Sequence, residues 1–142
     1  MCAAVRKGTI PASFGGLVDL VNLYLNDNQL SGSIPSSLSS LKRVQRLQLQ
    51  NNRLSGEIPS ELGSIITLER LQLQNNTLTG TIPTTLGAFL GLTVLTTQLN
   101  NLTGEMPDEI CSLRDESRID NLEILEADCS NEVVCGCCST CF

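Results

Sequence analysis

The chain says nearly the same thing every 24 residues, and that period limits its fold more than anything else in it. LQLQNN occupies 47–52 and returns at 71–76, each time followed by Leu-x-Gly-x-Ile-Pro. In this phase Pro11, Pro35, Pro59, Pro83 and Pro107 share a column, as do Gly8, Gly32, Gly56, Gly80 and Gly104. Leu23, Leu47, Leu71 and Leu95 make another, and so do Leu30, Leu54, Leu78 and Leu102. Asn28, Asn52, Asn76 and Asn100 also align. A unit this short cannot bury its own leucines, but stacked units share one continuous core.

The internal order of each unit predicts its path. In Leu47-Gln48-Leu49 alternate side chains face opposite ways, so the leucines turn inward while Arg46, Gln48 and Gln50 face out. An inward Asn left unpaired would cost roughly 1–3 kcal/mol. The column Asn28, Asn52, Asn76, Asn100 is therefore read as structural, each amide bonding backbone groups of its own and neighbouring coils. Gly-x-Ile-Pro suits a second short extended segment, with Gly permitting a bend and Pro ending the pairing. PSSLSSL, PSELGSI and PTTLGAF then cross the far side as short 3₁₀ or α turns. The fold class expected is α/β: a right-handed solenoid of 24-residue repeats, with a concave parallel sheet and convex 3₁₀ or short helical turns.

The pattern L-x-x-L-x-L-x-x-N-x-L, extended by LSGSIP, LSGEIP and LTGTIP, resembles the plant-type leucine-rich repeat over about residues 8–113. The ending ADC…V-x-C-x-C-C-x-x-C-F, 127–142, resembles the cysteine-rich terminus of leucine-rich repeat proteins of diatoms and related algae. Those resemblances imply a secreted or cell-surface protein with a binding role. They also imply two other uses: inhibition of a secreted hydrolase, as in the plant polygalacturonase inhibitors, or a structural place in a cell wall or matrix.

Three domains of organisation are expected: 1–7 as a truncated N-terminal segment, 8–113 as the repeats, and 114–142 as a degenerate last coil with a cysteine-rich cap. Gly8-Thr9-Ile10-Pro11 reads as the tail of a coil whose strand is missing, so the N-terminal end is expected to be bare. A bare end is either covered by further coils or buried by self-association. Thr97 replaces the second strand leucine of the fourth coil, which predicts a weaker core layer there. After Leu113 the spacing gains about six residues, within RDESRIDN. LEILEADC then reads as one last strand with Leu122, Leu125 and Ala127 inward.

Six of seven cysteines fall in the last 32 residues: Cys111, Cys129, Cys135, Cys137, Cys138 and Cys141, leaving Cys2 apart. They suit three disulfides whose pairing the spacing leaves open, with vicinal Cys137 and Cys138 paired elsewhere than with each other. A zinc-thiolate site is the rival. The cluster lacks two separated C-x2-C pairs, and the chain has no histidine. No metal and no cofactor is expected. Disulfides belong to an oxidising compartment, extracellular or at the cell surface.

The charge is −6, unevenly placed: residues 1–104 hold seven basic and five acidic side chains, and 105–142 hold two basic and ten acidic. No basic patch with interleaved aromatics exists, so nucleic acid is not an expected partner. No run of 18 or more apolar residues is present, so no membrane span is expected. Without histidine or a Gly-rich phosphate loop, catalysis is not expected either. The concave face is the informative surface. Its expected columns are Asn22, Arg46, Arg70 and Val94; Tyr24, Gln48, Gln72 and Thr96; and Asn26, Gln50, Gln74 and Gln98, with Asp27, Asn51, Asn75 and Leu99 at the edge. Amides both donate and accept, which suits a protein, peptide or glycan ligand. Two N-x-[ST] sequons, at Asn75 and Asn101, are glycosylation candidates in a secreted chain.

Overall fold

The structure, a computed structural model, describes residues 6–114, 122–127 and 133–141; for Val133 and Cys141 it describes the backbone alone. Each coil is laid down as the sequence orders it. In the third, the strand Arg70–Gln72 is followed by the Asn turn, a second strand Thr77–Gly80, and a 3₁₀ turn Thr84–Ala88. Leu71, Leu73, Leu78 and Leu86 are fully buried, and Ile82 nearly so. They belong to one continuous apolar cluster running from Ile10 to Ala127.

Two main parallel sheets result, besides a short two-stranded one near the C-terminal end. The inner one orders its strands Asn22–Tyr24, Arg46–Gln48, Arg70–Gln72, Val94–Thr96, Ile124–Ala127 and Thr140–Cys141. The outer one orders Lys7–Thr9, Gln29–Gly32, Arg53–Glu57, Thr77–Gly80 and Asn101–Leu102. In the first three full coils the outer strands begin directly after the Asn turn and end at or just past the Gly, before the Ile-Pro expected to lie in them, and the last, Asn101–Leu102, ends before Gly104. The reason is hydrogen bonding: residues after the Asn pair with the neighbouring coil at once. The Gly then takes a left-handed φ, 75° at Gly56, and turns the chain out of the sheet.

The four asparagines stand in file. Asn76 Nδ2 donates to Leu73 O of its own coil at 3.0 Å and to Leu49 O of the preceding one at 3.1 Å. Its Oδ1 accepts from Leu54 N at 3.0 Å. Asn52 and Asn100 repeat the arrangement, bonding Leu25 O and Leu73 O across the coil boundary at 2.9 and 3.1 Å. Asn28, in the first coil, bonds within its own turn and accepts from Arg6 N at 2.9 Å.

Coils pack closely at the 3₁₀ turns. A Cβ at Gly63 would lie 2.3 Å from Thr85 O of the next turn, so that column admits little side chain. Four periods after Gly15 the same column holds Cys111, at the end of the helical turn Asp108–Cys111. There the side chain turns to a disulfide with Cys137, their Cα atoms 5.6 Å apart.

In the fourth coil Thr97, in place of a strand leucine, is buried, and its hydroxyl donates to Glu126 O at 3.2 Å, so its polar atom is satisfied. The last coil follows: Ile124–Ala127 pairs with Val94–Thr96 in register, and Leu122, Leu125 and Ala127 are buried. The inserted residues lie outside the described residues, apart from Arg114.

The C-terminal segment then adds a strand to the inner sheet and forms a separate two-stranded parallel sheet with Gly104–Glu105. Val133–Val134 pairs with Gly104–Glu105, and Thr140–Cys141 pairs with the inner strand Ile124–Ala127. A second disulfide joins Cys135 to Cys138, so the vicinal pair Cys137 and Cys138 is split between two bridges. Arg114 Nη1 donates to Cys137 O, and Leu125 N to Ser139 Oγ at 3.0 Å. Cys2 and Cys129 lie outside the described residues, as does the side chain of Cys141.

Candidate functional site

Register fixes the chemistry of the inner face. Asn22, Arg46, Arg70, Val94 and Ile124 lie side by side on successive strands. Tyr24, Gln48, Gln72, Thr96 and Glu126 form the next row. Asn26, Gln50, Gln74 and Gln98 continue beyond the strand ends, one per coil. Tyr24 is half-exposed and Arg70 exposed; Asn22, Asn26, Arg46, Gln48, Gln50, Gln72 and Gln74 are partly accessible.

Two of the residues expected there are closed off. Thr96 is 4% and Gln98 7% exposed. The Thr96 hydroxyl donates to Gln74 Oε1 at 2.6 Å, and Gln98 Nε2 donates to Glu126 Oε2 at 2.5 Å. The physical cause is the last coil, whose Glu126 reaches back over its neighbour. Ile124 and Glu126 therefore belong to the face, although the columns drawn from sequence stopped at the fourth coil. The signal that could have found them is the alternation of LEILEA, in which inward Leu125 leaves both neighbours outward.

Hydrogen-bonding capacity on this face is incompletely used. Asn22 Oδ1, Gln50 Oε1 and Gln98 Oε1 are buried and lack a donor. Each such acceptor costs roughly 1–3 kcal/mol while it stays unmet. Among the described residues the ion pair Arg43–Asp19, at 3.0 Å, lies off this face, and neither Arg46 nor Arg70 has a carboxylate partner.

The rim of the face holds a feature that the columns did not foretell. Asp27, Asn51, Asn75 and Leu99 all adopt left-handed φ, from 55° to 58°. Asn75 Nδ2 donates to Asn51 Oδ1 at 2.9 Å, and Asn51 Nδ2 to Asp27 Oδ1 at 2.6 Å. The clue in the sequence is Asp, Asn, Asn at one column, the residues that tolerate this conformation best. The sequon at Asn75 thus has its amide nitrogen engaged, whereas Asn101 is exposed on the outer strand Asn101–Leu102.

At the opposite end, a groove of about 290 Å³ is lined by Ile10, Phe14, Leu25 and Leu30, with Arg6 and Lys7 at its edge. Among the described residues no helix is long and apolar enough to cross a membrane.

Comparison with known proteins places this geometry. The family model described as Leucine Rich Repeat matches residues 19–41, 43–65 and 67–89. A comparison with curated protein sequences finds no match. Among solved structures, the plant peptide hormone receptor RGFR1 in complex with RGF2 is 37% identical, with a TM-score of 0.79 over 87% of this chain and 19% of that one. The ectodomain of the Arabidopsis thaliana receptor kinase GASSHO1/SCHENGEN3, in complex with CASPARIAN STRIP INTEGRITY FACTOR 2, is 41% identical, with a TM-score of 0.80 over 89% of this chain and 14% of that one. The BIR2 ectodomain of Arabidopsis thaliana is 36% identical, with a TM-score of 0.71 over 74% of this chain and 55% of that one. The chain thus spans between about a seventh and just over half the length of these three relatives. They are receptor ectodomains, binding modules rather than enzymes, and the expectation of a non-enzymatic chain accords with them. Matched repeats, shared register and solved relatives together make this chain a leucine-rich repeat protein with the solenoid of the plant receptor ectodomains.

Proposed function

We propose that the chain is a non-enzymatic extracellular recognition module that holds a protein, peptide or glycan ligand on its inner face. One observation carries the reading: accessible Arg46, Gln48, Arg70 and Gln72 stand in register on a face whose buried acceptors lack donors. Paired strands hold the backbone under these side chains at fixed spacing, so little backbone freedom is lost on binding. Two of the solved relatives are complexes with a named partner, RGF2 and CASPARIAN STRIP INTEGRITY FACTOR 2. That supports a peptide or protein ligand ahead of a glycan. In this reading residues 8–113 carry recognition and 114–142 seal the end, the disulfides Cys111–Cys137 and Cys135–Cys138 suiting an oxidising, extracellular setting.

The test is selection from a random dodecapeptide library displayed on phage, run in parallel with a glycan array. The 142-residue chain is compared with the quadruple variant R46A/Q48A/R70A/Q72A. Ligands enriched by the parent and lost by the variant support the reading, provided both unfold at the same urea concentration. Equal enrichment by both moves the site away from this face.

The apolar groove at the N-terminal end favours a second reading, self-association through that end. Sedimentation velocity over a wide concentration range tests it: a constant monomer rejects it.

A further inference from the structure

The two bridges of the C-terminal segment hold different things together. Cys111–Cys137 ties the segment to the helical turn Asp108–Cys111, across 26 residues of chain. Cys135–Cys138 only closes the short loop Cys-Gly-Cys-Cys within the segment. Before that loop Val133–Val134 pairs with Gly104–Glu105, and after it Thr140–Cys141 pairs with Ile124–Ala127. Opening the short bridge therefore leaves both strand pairings and the long bridge in place. A thiol can reduce it while the chain stays folded.

The bridge is also within reach. Gly136 inside the loop is exposed, as are Val134 and Ser139 beside it, and Cys135 and Cys138 are partly buried rather than enclosed. Exchange needs an accessible sulfur to attack and a leaving sulfur that tolerates negative charge. Arg114 Nη1 donates to the carbonyl of Cys137, the residue directly before Cys138. A guanidinium held there favours a thiolate on the neighbouring sulfur. Cys135 lies at the other end of the loop, between exposed Val134 and Gly136. The geometry thus separates a sulfur to be attacked from a sulfur that departs.

We infer that Cys135–Cys138 is a thiol–disulfide exchange site for a low-molecular-weight thiol such as glutathione. The thiolate attacks Cys135 Sγ and forms a new S–S bond, while the Cys135–Cys138 bond breaks and Cys138 leaves as a thiolate. A second thiolate attacks the sulfur of the bound small thiol and releases Cys135. Two small thiols are thereby oxidised to one disulfide, and the bridge is reduced to two cysteine thiols that take up the protons the small thiols gave up. The same steps reversed restore the bridge. Cys137, between the reacting pair, stays tied to Cys111, so the loop cannot swing out to a bulky partner, which favours a small thiol. This site lies apart from the inner face, and the inference does not depend on what that face binds.

The test follows both bridges in one reaction. The oxidised 142-residue chain is incubated with reduced glutathione near neutral pH and quenched with acid at intervals. Free cysteines are alkylated with a light maleimide, the remainder reduced and alkylated with a heavy one, and each position read by fragment-ion mass spectrometry. Cys135 and Cys138 should become free about tenfold or more faster than Cys111 and Cys137, with the circular dichroism unchanged. The glutathione adduct caught at early times should sit on Cys135. Arg114→Gln should slow the opening of Cys135–Cys138 about threefold or more and leave the rate at Cys111–Cys137 alone, while Arg114→Lys keeps most of the speed. Adding oxidised glutathione in excess should close the bridge again between the same two cysteines. Equal rates at the two bridges would overturn the inference, and so would opening of Cys135–Cys138 only as the dichroism is lost. An early adduct on Cys138 would overturn it as well.

Discussion

Asn75 donates to Asn51 from one coil to the next at 2.9 Å, and both residues hold a left-handed φ, 55° and 58°. The rim of the inner face is thus a second amide ladder, outside the buried one. Its next position is Leu99, also left-handed at 57° and 58% exposed. A left-handed conformation costs an ordinary L-residue roughly 1–2 kcal/mol, and Asn much less. Leu99→Asn should therefore stabilise the chain by about 1 kcal/mol, read as a higher urea midpoint at unchanged slope. Asn51→Leu, which imports the same strain and breaks the ladder, should lower the midpoint.

The buried ladder predicts a larger effect. Within the core Asn76 satisfies the carbonyls of Leu49 and Leu73 and the N–H of Leu54. Asn76→Ala leaves Leu54 N–H without its acceptor and opens a void, at a cost of about 2–3 kcal/mol. Chemical denaturation measures it. An unchanged midpoint would mean water takes the amide's place without loss.

Close approach of the 3₁₀ turns gives a paired test. At Gly63 a methyl would meet Thr85 O at 2.3 Å, whereas at Gly16 nothing lies within 4 Å. Gly63→Ala should destabilise by about 1–3 kcal/mol. Gly16→Ala should be neutral or slightly favourable, since it removes freedom from the unfolded chain. Thermal melts should show a lowered midpoint for Gly63→Ala and an unchanged or slightly raised one for Gly16→Ala.

The two bridges of the terminal segment differ in span. Cys111–Cys137 ties residues 26 apart and Cys135–Cys138 residues 3 apart. In the chain-entropy account the longer contributes about 3.5 kcal/mol and the shorter about 2. C111S/C137S should accordingly lower stability more than C135S/C138S, in denaturation followed without reductant.

Secretion through a eukaryotic host tests the sequons. A glycan at Asn101 projects from the outer strand, whereas one at Asn75 replaces the hydrogen bond to Asn51. Asn101→Gln should remove the mass shift that glycosidase treatment reveals, and Asn75→Gln should leave it.

How much of this lay open in the sequence depends on the source of each constraint. Leu47, Leu71 and Asn76 answer to the period itself, so their burial and partners follow from spacing. Thr96 and Gln98 answer to a neighbour, Glu126, whose column was displaced by the inserted residues before Leu122, and spacing could not show that it would cover them. The rim ladder was visible as Asp27, Asn51 and Asn75 in one column, but its meaning is a backbone dihedral, and side-chain pattern carries that only indirectly. The cap is the extreme case: which cysteine meets which depends on the path taken by a segment with no repeat to compare.

Cys111 marks where the crowding column ends, and this has a consequence for how such a chain changes length. Upstream of it, each new turn must meet the last through a small residue such as Gly63, so whole units can be copied or deleted in the middle with matching surfaces on both sides. Every copy brings one more row of outward side chains, so the reach of the face can be tuned in steps of a single repeat.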